Sequence, residues 1–426
     1  MNNTNTNHSL RIFAKGHTIS NNDLATRLNN NDLIIGGSGS GKTTGYCIPN
    51  IRQCYGSMVI SDTKGSLYKK LRRELKDNGY TVRCLDLVNL ENSCIYNPLS
   101  FIRTDAEGHF NEKDVITLSR ILVPHVSKND PFWDETARLV ISFLIGFTLE
   151  AFDKSEHNLG TVLELYKLLL NPHTSSVFER YAAMHPDSFA TSKYMLFRDL
   201  RTADRTWSCV CGFVSRALDI FEFKDMRRVI GADGKFYTNT LSFKELATKK
   251  TALFLNVSDT DHSMDTFANI FYAQAFNQLF SIADSNPNNR LRVPVRIMLD
   301  DFAAGTYIED FDKIISVTRS RGISVSIILQ SLSQLNTLYT QSQSDTILNN
   351  CDHILYLGSQ DLTTANYIGI RTCKSQEKIL SLDTSKAVLI TKGQRGMIVD
   401  KITPDMRQSE LLPAAGAEAD ICCKAM

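Results

Sequence analysis

No stretch of this chain supplies the ~18 uninterrupted apolar residues that a membrane-spanning helix requires. The longest apolar candidate, Leu139 to Phe147, is bounded by Arg138 and Glu150 and reads as a core helix. Neither sign of charge is in excess, because 47 Lys and Arg stand against 46 Asp and Glu, a net charge of +1. Overall basicity is therefore absent, and a nucleic-acid partner has to be held by local patches. The ten cysteines include no C-x-x-C pair. That removes support for a zinc site or a thioredoxin-like motif and leaves reduced cytosolic thiols. Residues Asn2 to Asn7 are rich in Asn and Thr and lack the apolar core of a signal peptide, so a disordered start is expected. Cys423-Lys424-Ala425-Met426 is only superficially a prenylation box, since Lys424 fits it poorly.

What is present is ordinary in bulk. An apolar content of 42% over 426 residues suits a soluble globular protein with two or three domains, or one large core carrying an insertion. The local patterns say more. Leu33-Ile34-Ile35, Ser57 to Ile60 and Thr81 to Leu87 read as strands. Between them lie a helix from Lys42 to about Pro49 and another from about Ser66 to Lys76. In the second helix Leu67, Leu71 and Leu75 fall on one face, while Lys69, Lys70, Arg72 and Arg73 lie opposite. Strand–helix–strand units of this length imply an α/β fold with a parallel sheet.

From about 105 to 245 the periodicity becomes helical, over Val115 to Leu122, Phe132 to Phe152, Thr161 to Leu170 and Ser192 to Phe221. Strand signals resume at Thr251 to Val257, Val293 to Leu299, Ile323 to Leu329 and His353 to Leu357. The chain thus divides into a flexible segment (1–30), a nucleotide-binding domain in two parts (31–105 and 246–405), an all-α insertion (106–245) and a tail (406–426).

The strongest chemical signal follows the first of these strands. Gly36-Gly37-Ser38-Gly39-Ser40-Gly41-Lys42-Thr43 satisfies every position of G-x-x-x-x-G-K-[ST], and Thr44 continues it. Glycines let the backbone wrap closely around a phosphate chain, and the freed N–H groups form an anion nest at a helix N-terminus. Lys42 can reach the β- and γ-phosphates of ATP, and the Thr43 hydroxyl can ligate Mg²⁺. Such a site needs an acid at the end of a neighbouring strand, and Asp300-Asp301 follows Leu299. Asp300 is the expected Mg²⁺ residue, and Asp301 can orient or deprotonate the attacking water. Asp62 also ends a strand and can face the nucleotide. Arg319 or Arg321 can neutralise charge developing on the γ-phosphoryl group, and Gln330 can sense it or position water.

Taken together these residues resemble the type IV secretion coupling proteins, the TraG/TraD-like ATPases of bacterial conjugation. The matching stretches are Ile34 to Thr43, Val59-Ile-Ser-Asp-Thr-Lys-Gly65, Tyr96-Asn-Pro-Leu99 and Asp130-Pro-Phe-Trp133, followed by Met298 to Phe302, Arg321 to Ser331 with Gln334-Leu335, and Ile354 to Gly358. The resemblance implies a RecA-like P-loop domain with an all-α insertion and a homohexameric ring. It implies ATP-driven movement of DNA, held without sequence preference, from a relaxase or relaxosome toward secretion-channel components at the inner membrane. It favours Arg319 as a finger acting in trans and Gln330 as the γ-phosphate sensor. The basic face at Lys69 to Arg73, Lys249-Lys250 and Arg227-Arg228 are the candidate DNA contacts. Two departures stand out. The family has Asp-Glu where this chain has Asp300-Asp301, and many members carry N-terminal transmembrane helices of which this sequence shows none. A cytoplasmic form is expected, or one peripheral to the inner face of the cell membrane. The alternatives are an ATP-holding docking receptor with little turnover and a chromosome-segregation-like DNA pump.

Overall fold

The computed structural model describes residues 9–124, 131–302, 307–406 and 408–411. The expectations for Asn2 to Asn7, for Asp130 and for the tail beyond Leu411 lie outside these residues. Two compact units emerge. The first comprises Met1–Cys84, Ser242–Thr260 and Phe276–Met426; the second comprises Leu85–Leu241 and Asp261–Ala275. The helical insertion therefore takes in more chain than 106–245, and its limits fall inside a strand and inside a long helix.

Eleven strands are present among the described residues. They are β1 (Leu10–Ala14), β2 (His17–Ser20), β3 (Asp32–Ile35), β4 (Ser57–Asp62), β5 (Thr81–Asp86), β6 (Thr251–Asn256), β7 (Val295–Leu299), β8 (Ile323–Leu329), β9 (His353–Tyr356), β10 (Lys386–Thr391) and β11 (Met397–Asp400). Nine of them form one sheet in the order β11-β10-β9-β3-β8-β7-β4-β6-β5. β3 runs parallel to both β9 and β8, and the parallel run continues through β7, β4 and β6. Every residue of β3, β4, β6, β7 and β9 is buried. This accounts for the unbroken apolar runs in the sequence, because a parallel sheet is covered on both faces. The helix Ser66–Asp77 covers one face with Leu67, Leu71 and Leu75, each at most 2% exposed.

Four features depart from the sequence reading. Residues 1–30 were expected to be flexible, yet β1 and β2 form an antiparallel hairpin whose Ile12, Phe13 and Ala14 are buried. Pro49 does not end the helix after the glycine-rich loop. The chain first makes a π turn over Thr43–Cys47, and Pro49 sits in the first turn of the α-helix Ile48–Arg52, where its missing N–H is harmless. β10 and β11 add an antiparallel edge beyond the expected strands, joined through Gly393 at φ +80°.

The fourth departure lies in the helical unit. The stretch Ser192 to Phe221 is not one helix but Phe189–Phe197, a 3-10 turn at Arg198–Thr202, and Asp204–Leu218. The break brings Phe197 and Trp207 into a parallel stack with centroids 5.9 Å apart. A straight helix would separate residues ten apart by ~15 Å. In the same unit Phe132–Ala151 is the core helix, with Phe143 against Phe147, Phe178, Tyr194 and Phe197. No described helix is long and apolar enough to cross a membrane.

One buried charge cluster ties the hairpin to the sheet. Asp32, wholly buried at the start of β3, lies 3.2 Å from Arg11 Nε and accepts from Arg296 Nη1 at 2.9 Å. Tyr46, in the π turn, donates its hydroxyl to Asp32 at 2.6 Å. Burial, and then the Asp32 charge, raise that phenol well above its ordinary value, so it remains a donor. Asn21 accepts from both arginines, at 3.0 Å and 3.4 Å. Removing one partner of a buried pair leaves an uncompensated charge, at a typical cost of about 3–5 kcal/mol. We expect Asp32→Ala, which would strand two guanidiniums, to lower stability by roughly that amount. Urea unfolding of the ligand-free chain checks this, and an unchanged midpoint would refute it.

Candidate functional site

In a parallel sheet, loops that leave the carboxyl ends of adjacent strands converge. Here β3 ends in the glycine-rich loop, β7 in Asp300-Asp301, β8 in Gln330 and β9 in Leu357-Gly358. The loop is fixed by backbone bonds to two of these neighbours. Gly36 N donates to Leu329 O at 3.0 Å, Gly37 N donates to Gly358 O at 2.8 Å, and Leu357 N donates to Ile35 O at 2.7 Å. A Cβ at position 36 would lie 2.9 Å from Leu357 Cβ, so glycine is required by close approach. At Gly41 it is required by φ +95°.

The polar groups of the loop converge on one space. Lys42 Nζ donates to Gly36 O at 2.8 Å and Gly37 O at 3.3 Å, and lies 4.0 Å from Asp301 Oδ1. Thr43 Oγ1 donates to Asp300 Oδ2 at 3.0 Å. Asp300 is held from below by Ser61 Oγ, which donates to its carbonyl at 3.3 Å. Asp301 has φ +48°, a left-handed conformation uncommon outside glycine, and its Oδ1 accepts from Gln330 Nε2 at 3.4 Å. The Ser40 hydroxyl is buried in the loop with no hydrogen-bond partner among the described residues. A lysine resting on the loop's own carbonyls, a hydroxyl paired with a carboxylate, and an orphaned serine are groups awaiting an anion and a hard cation.

The structure thus gathers Gly36 to Thr43, Asp300, Asp301 and Gln330 at one edge. Arg319 is elsewhere. It precedes β8, at the opposite end of the strand from Gln330, roughly 20 Å away at ~3.3 Å per residue. Asp62 also ends a strand, but its carboxylate accepts from Ser66 N at 3.1 Å and Tyr68 N at 2.9 Å, which makes it a cap for the following helix. The sequence reading assigned no role to Leu357-Gly358: the Gly358 carbonyl braces the loop by accepting from Gly37 N, and the Leu357 carbonyl accepts from Lys401 Nζ at 2.6 Å. Nothing in the spacing of Lys401 signals this contact, which arises only because β10 and β11 return beside β9.

Other expected motifs serve structure. Asn97 accepts from Leu99 N at 3.1 Å and donates to His157 O at 2.6 Å, while the Tyr96 ring packs on Phe267 and Phe271. Arg227 pairs with Glu164, Arg228 donates to Leu90 O, Lys249 pairs with Glu245, and Lys250 donates to Cys54 O. Lys69, Lys70, Arg72 and Arg73 are all exposed on their helix face.

A family model described as type IV secretory system conjugative DNA transfer matches residues 4–377. Curated relatives include the VirD4 protein of Rhizobium radiobacter, 22% identical over 343 residues, covering 79% of this chain and 47% of the relative. The VirD4 protein of Agrobacterium fabrum is 24% identical over 356 residues, covering 79% and 48%. The chain spans about half the length of these relatives. Among solved structures, the conjugative coupling protein TrwBdeltaN70 with sulphate superposes with a TM-score of 0.65 at 16% identity, over 92% of this chain and 90% of that one. TrwB in complex with ADP and Mg²⁺ gives 0.64 at 17% identity, over 91% and 89%. VirB4 of Thermoanaerobacter pseudethanolicus gives 0.57 at 11% identity, over 93% and 96%. At these identities the likeness establishes the fold, a RecA-like P-loop domain.

The electrostatics of the edge generate a prediction. Burial, then the charge of Asp301, push the Asp300 carboxyl up to about 6, against the Thr43 hydrogen bond and the Lys42 charge. The folded chain therefore binds a proton that the unfolded chain releases near pH 4. Between those values stability falls as pH rises, and the penalty is complete above about 6. We expect Asp300→Asn to raise the melting temperature of the ligand-free chain at pH 7.5. That gain should shrink as pH is lowered toward 5, and a pH-independent difference would contradict the assignment.

Proposed function

This chain belongs to the type IV secretory system conjugative DNA transfer family, and from that premise we propose that it is the ATP-hydrolysing motor domain of a coupling protein. In this reading it grips DNA and drives it from a relaxosome toward a secretion channel. The observation that carries the proposal is the convergence of Lys42, Thr43, Asp300 and Asp301 on the glycine-rich loop at the strand ends.

Each residue has a role set by its chemistry. The loop N–H groups and Lys42 hold the β- and γ-phosphates; Lys42 exchanges its two carbonyl contacts for phosphate oxygens. Thr43 and Asp300 offer the hydroxyl and carboxylate oxygens that would hold Mg²⁺, whose charge neutralises the phosphates when bound. Asp301 orients the attacking water and accepts its proton, and Gln330, already in contact with Asp301, reports the γ-phosphate. Arg319 sits too far from the loop of its own subunit to act there. In a cyclic assembly a heterologous interface can bring it to a neighbour's nucleotide, which supports a ring, with a homohexamer as the proposed form. The exposed helix face Lys69, Lys70, Arg72 and Arg73 is the proposed phosphate-gripping surface for DNA, since the other two basic clusters are committed to internal contacts.

Asp301 is one methylene shorter than the glutamate of the family. A ~1 Å misplacement can cost about 10²-fold in rate, and this keeps a second reading open, a nucleotide-gated docking receptor with slow turnover.

Steady-state ATP hydrolysis with and without DNA separates the two readings. We expect DNA stimulation that Lys42→Ala abolishes; nucleotide binding without hydrolysis would favour the receptor. Asp301→Asn should spare ATP binding and stop turnover, and normal hydrolysis by that variant would remove Asp301 from its role. Mixing Arg319→Ala subunits into wild type should depress activity more steeply than dilution, whereas a linear loss would argue against action in trans.

A further inference from the structure

The strand ends opposite the glycine-rich loop hold a three-residue charge cluster whose stoichiometry is unequal. Asp23, in the short helix Asp23–Thr26, faces two guanidiniums. Arg290 takes its carboxylate with both terminal nitrogens, Nη2 to Oδ1 at 2.9 Å and Nη1 to Oδ2 at 3.2 Å. Arg290 Nη1 also donates to the Arg319 carbonyl at 3.2 Å. Arg319 is left with less. Its Nη2 donates to the Asp23 backbone carbonyl at 2.9 Å, and its Nε lies 3.7 Å from Oδ2.

A bidentate guanidinium–carboxylate pair is the strong form of this contact, and a side chain so engaged has little left for a second cation. Asp23 is thus spent on Arg290, and the Arg319 charge is aimed by a neutral carbonyl. Exposure follows the same division: the Asp23 side chain is 11% exposed, Arg290 27% and Arg319 41%. Beside the cluster lies a cavity of about 40 Å³ lined by Asn21, Asp23, Arg290 and Arg319. Truncating Arg290 would enlarge it and give the Arg319 guanidinium room to fold back onto the vacated carboxylate.

We propose that Arg290 is a positioning residue that occupies Asp23 so that Asp23 anchors Arg319 without quenching it. The proposal rests on the reading of Arg319 as an arginine that acts on a neighbouring subunit's nucleotide. Arg290 itself touches no substrate. A trans-acting arginine contributes ~10³–10⁵ to turnover, so partial capture by a carboxylate should cost a measurable part of that.

The test is DNA-stimulated ATP hydrolysis by the full chain and four variants. Arg290→Ala should lower kcat roughly tenfold or more with KM for ATP unchanged, because nucleotide binding in the same subunit is untouched. Adding Asp23→Asn to Arg290→Ala removes the captor and should restore most of kcat, which a merely structural role for Arg290 would not do. Arg290→Lys, which keeps a cation on Asp23 but not the fork, should fall between Arg290→Ala and wild type and serves if the alanine variant does not fold. If Arg319→Ala is inactive while Arg290→Ala and Arg290→Lys turn over normally, or if Asp23→Asn brings no recovery, the inference about Arg290 is wrong and the reading of Arg319 stands. If Arg319→Ala hydrolyses ATP like wild type, or the wild-type chain does not hydrolyse it, the reading of Arg319 falls and the inference with it.

Discussion

The site depends on the parallel register of β3 against β8 and β9. Ile34 lies opposite Ile328 on one side and Leu355 on the other, so all three strands end together. That common end is what lets Leu329 and Gly358 brace the glycine-rich loop through their carbonyls. It also sets Gln330 within reach of Asp301. In a strand the side-chain period is two, so a one-residue slip in β3 would turn Ile34 to the opposite face of the sheet and draw the loop away from both braces.

At the other end of β3 the constraint is electrostatic. Asp32 draws in Arg11 from the hairpin, Arg296 from β7 and Tyr46 from the turn after the loop. One carboxylate thus joins the strand before the loop to the helical turn after it. The same cluster explains why Leu10 to Ser20 fold as a hairpin. Arg11 is 2% exposed, and a guanidinium so deep in the protein is tolerable only beside a carboxylate, here Asp32 at 3.2 Å. The hairpin is therefore part of the nucleotide domain's construction and not a leader to it.

The two ends of the central strands carry complementary halves of the proposed chemistry. The carboxyl ends of the central strands gather the phosphate loop and the acids, and their opposite ends present Arg319 beside Asp23 and Arg290. A single subunit cannot join them, because the length of β8 stands between. This separation is the physical content of the proposal that the site is completed by a neighbour. In the same proposal the residues that position Arg319 lie remote from the loop.

Much of this was legible in the chain itself. Unbroken apolar runs such as Leu33-Ile34-Ile35 and Ile297-Met298-Leu299 declare strands buried on both faces, and the glycine-rich loop with Asp300 declares its chemistry through residue type and position. These are local signals, since each depends on period, turn and the nature of a few adjacent residues. What the tertiary structure alone decided is which distant groups meet. Asp62 and Asp300 both end strands, yet one caps a helix and the other pairs with Thr43, a difference set by the chain that follows each strand. Arg11, Asp23, Arg290 and Lys401 look like ordinary surface charges in the sequence. Their partners lie far along the chain or in the returning edge strands, and only the packing of the sheet brings them together.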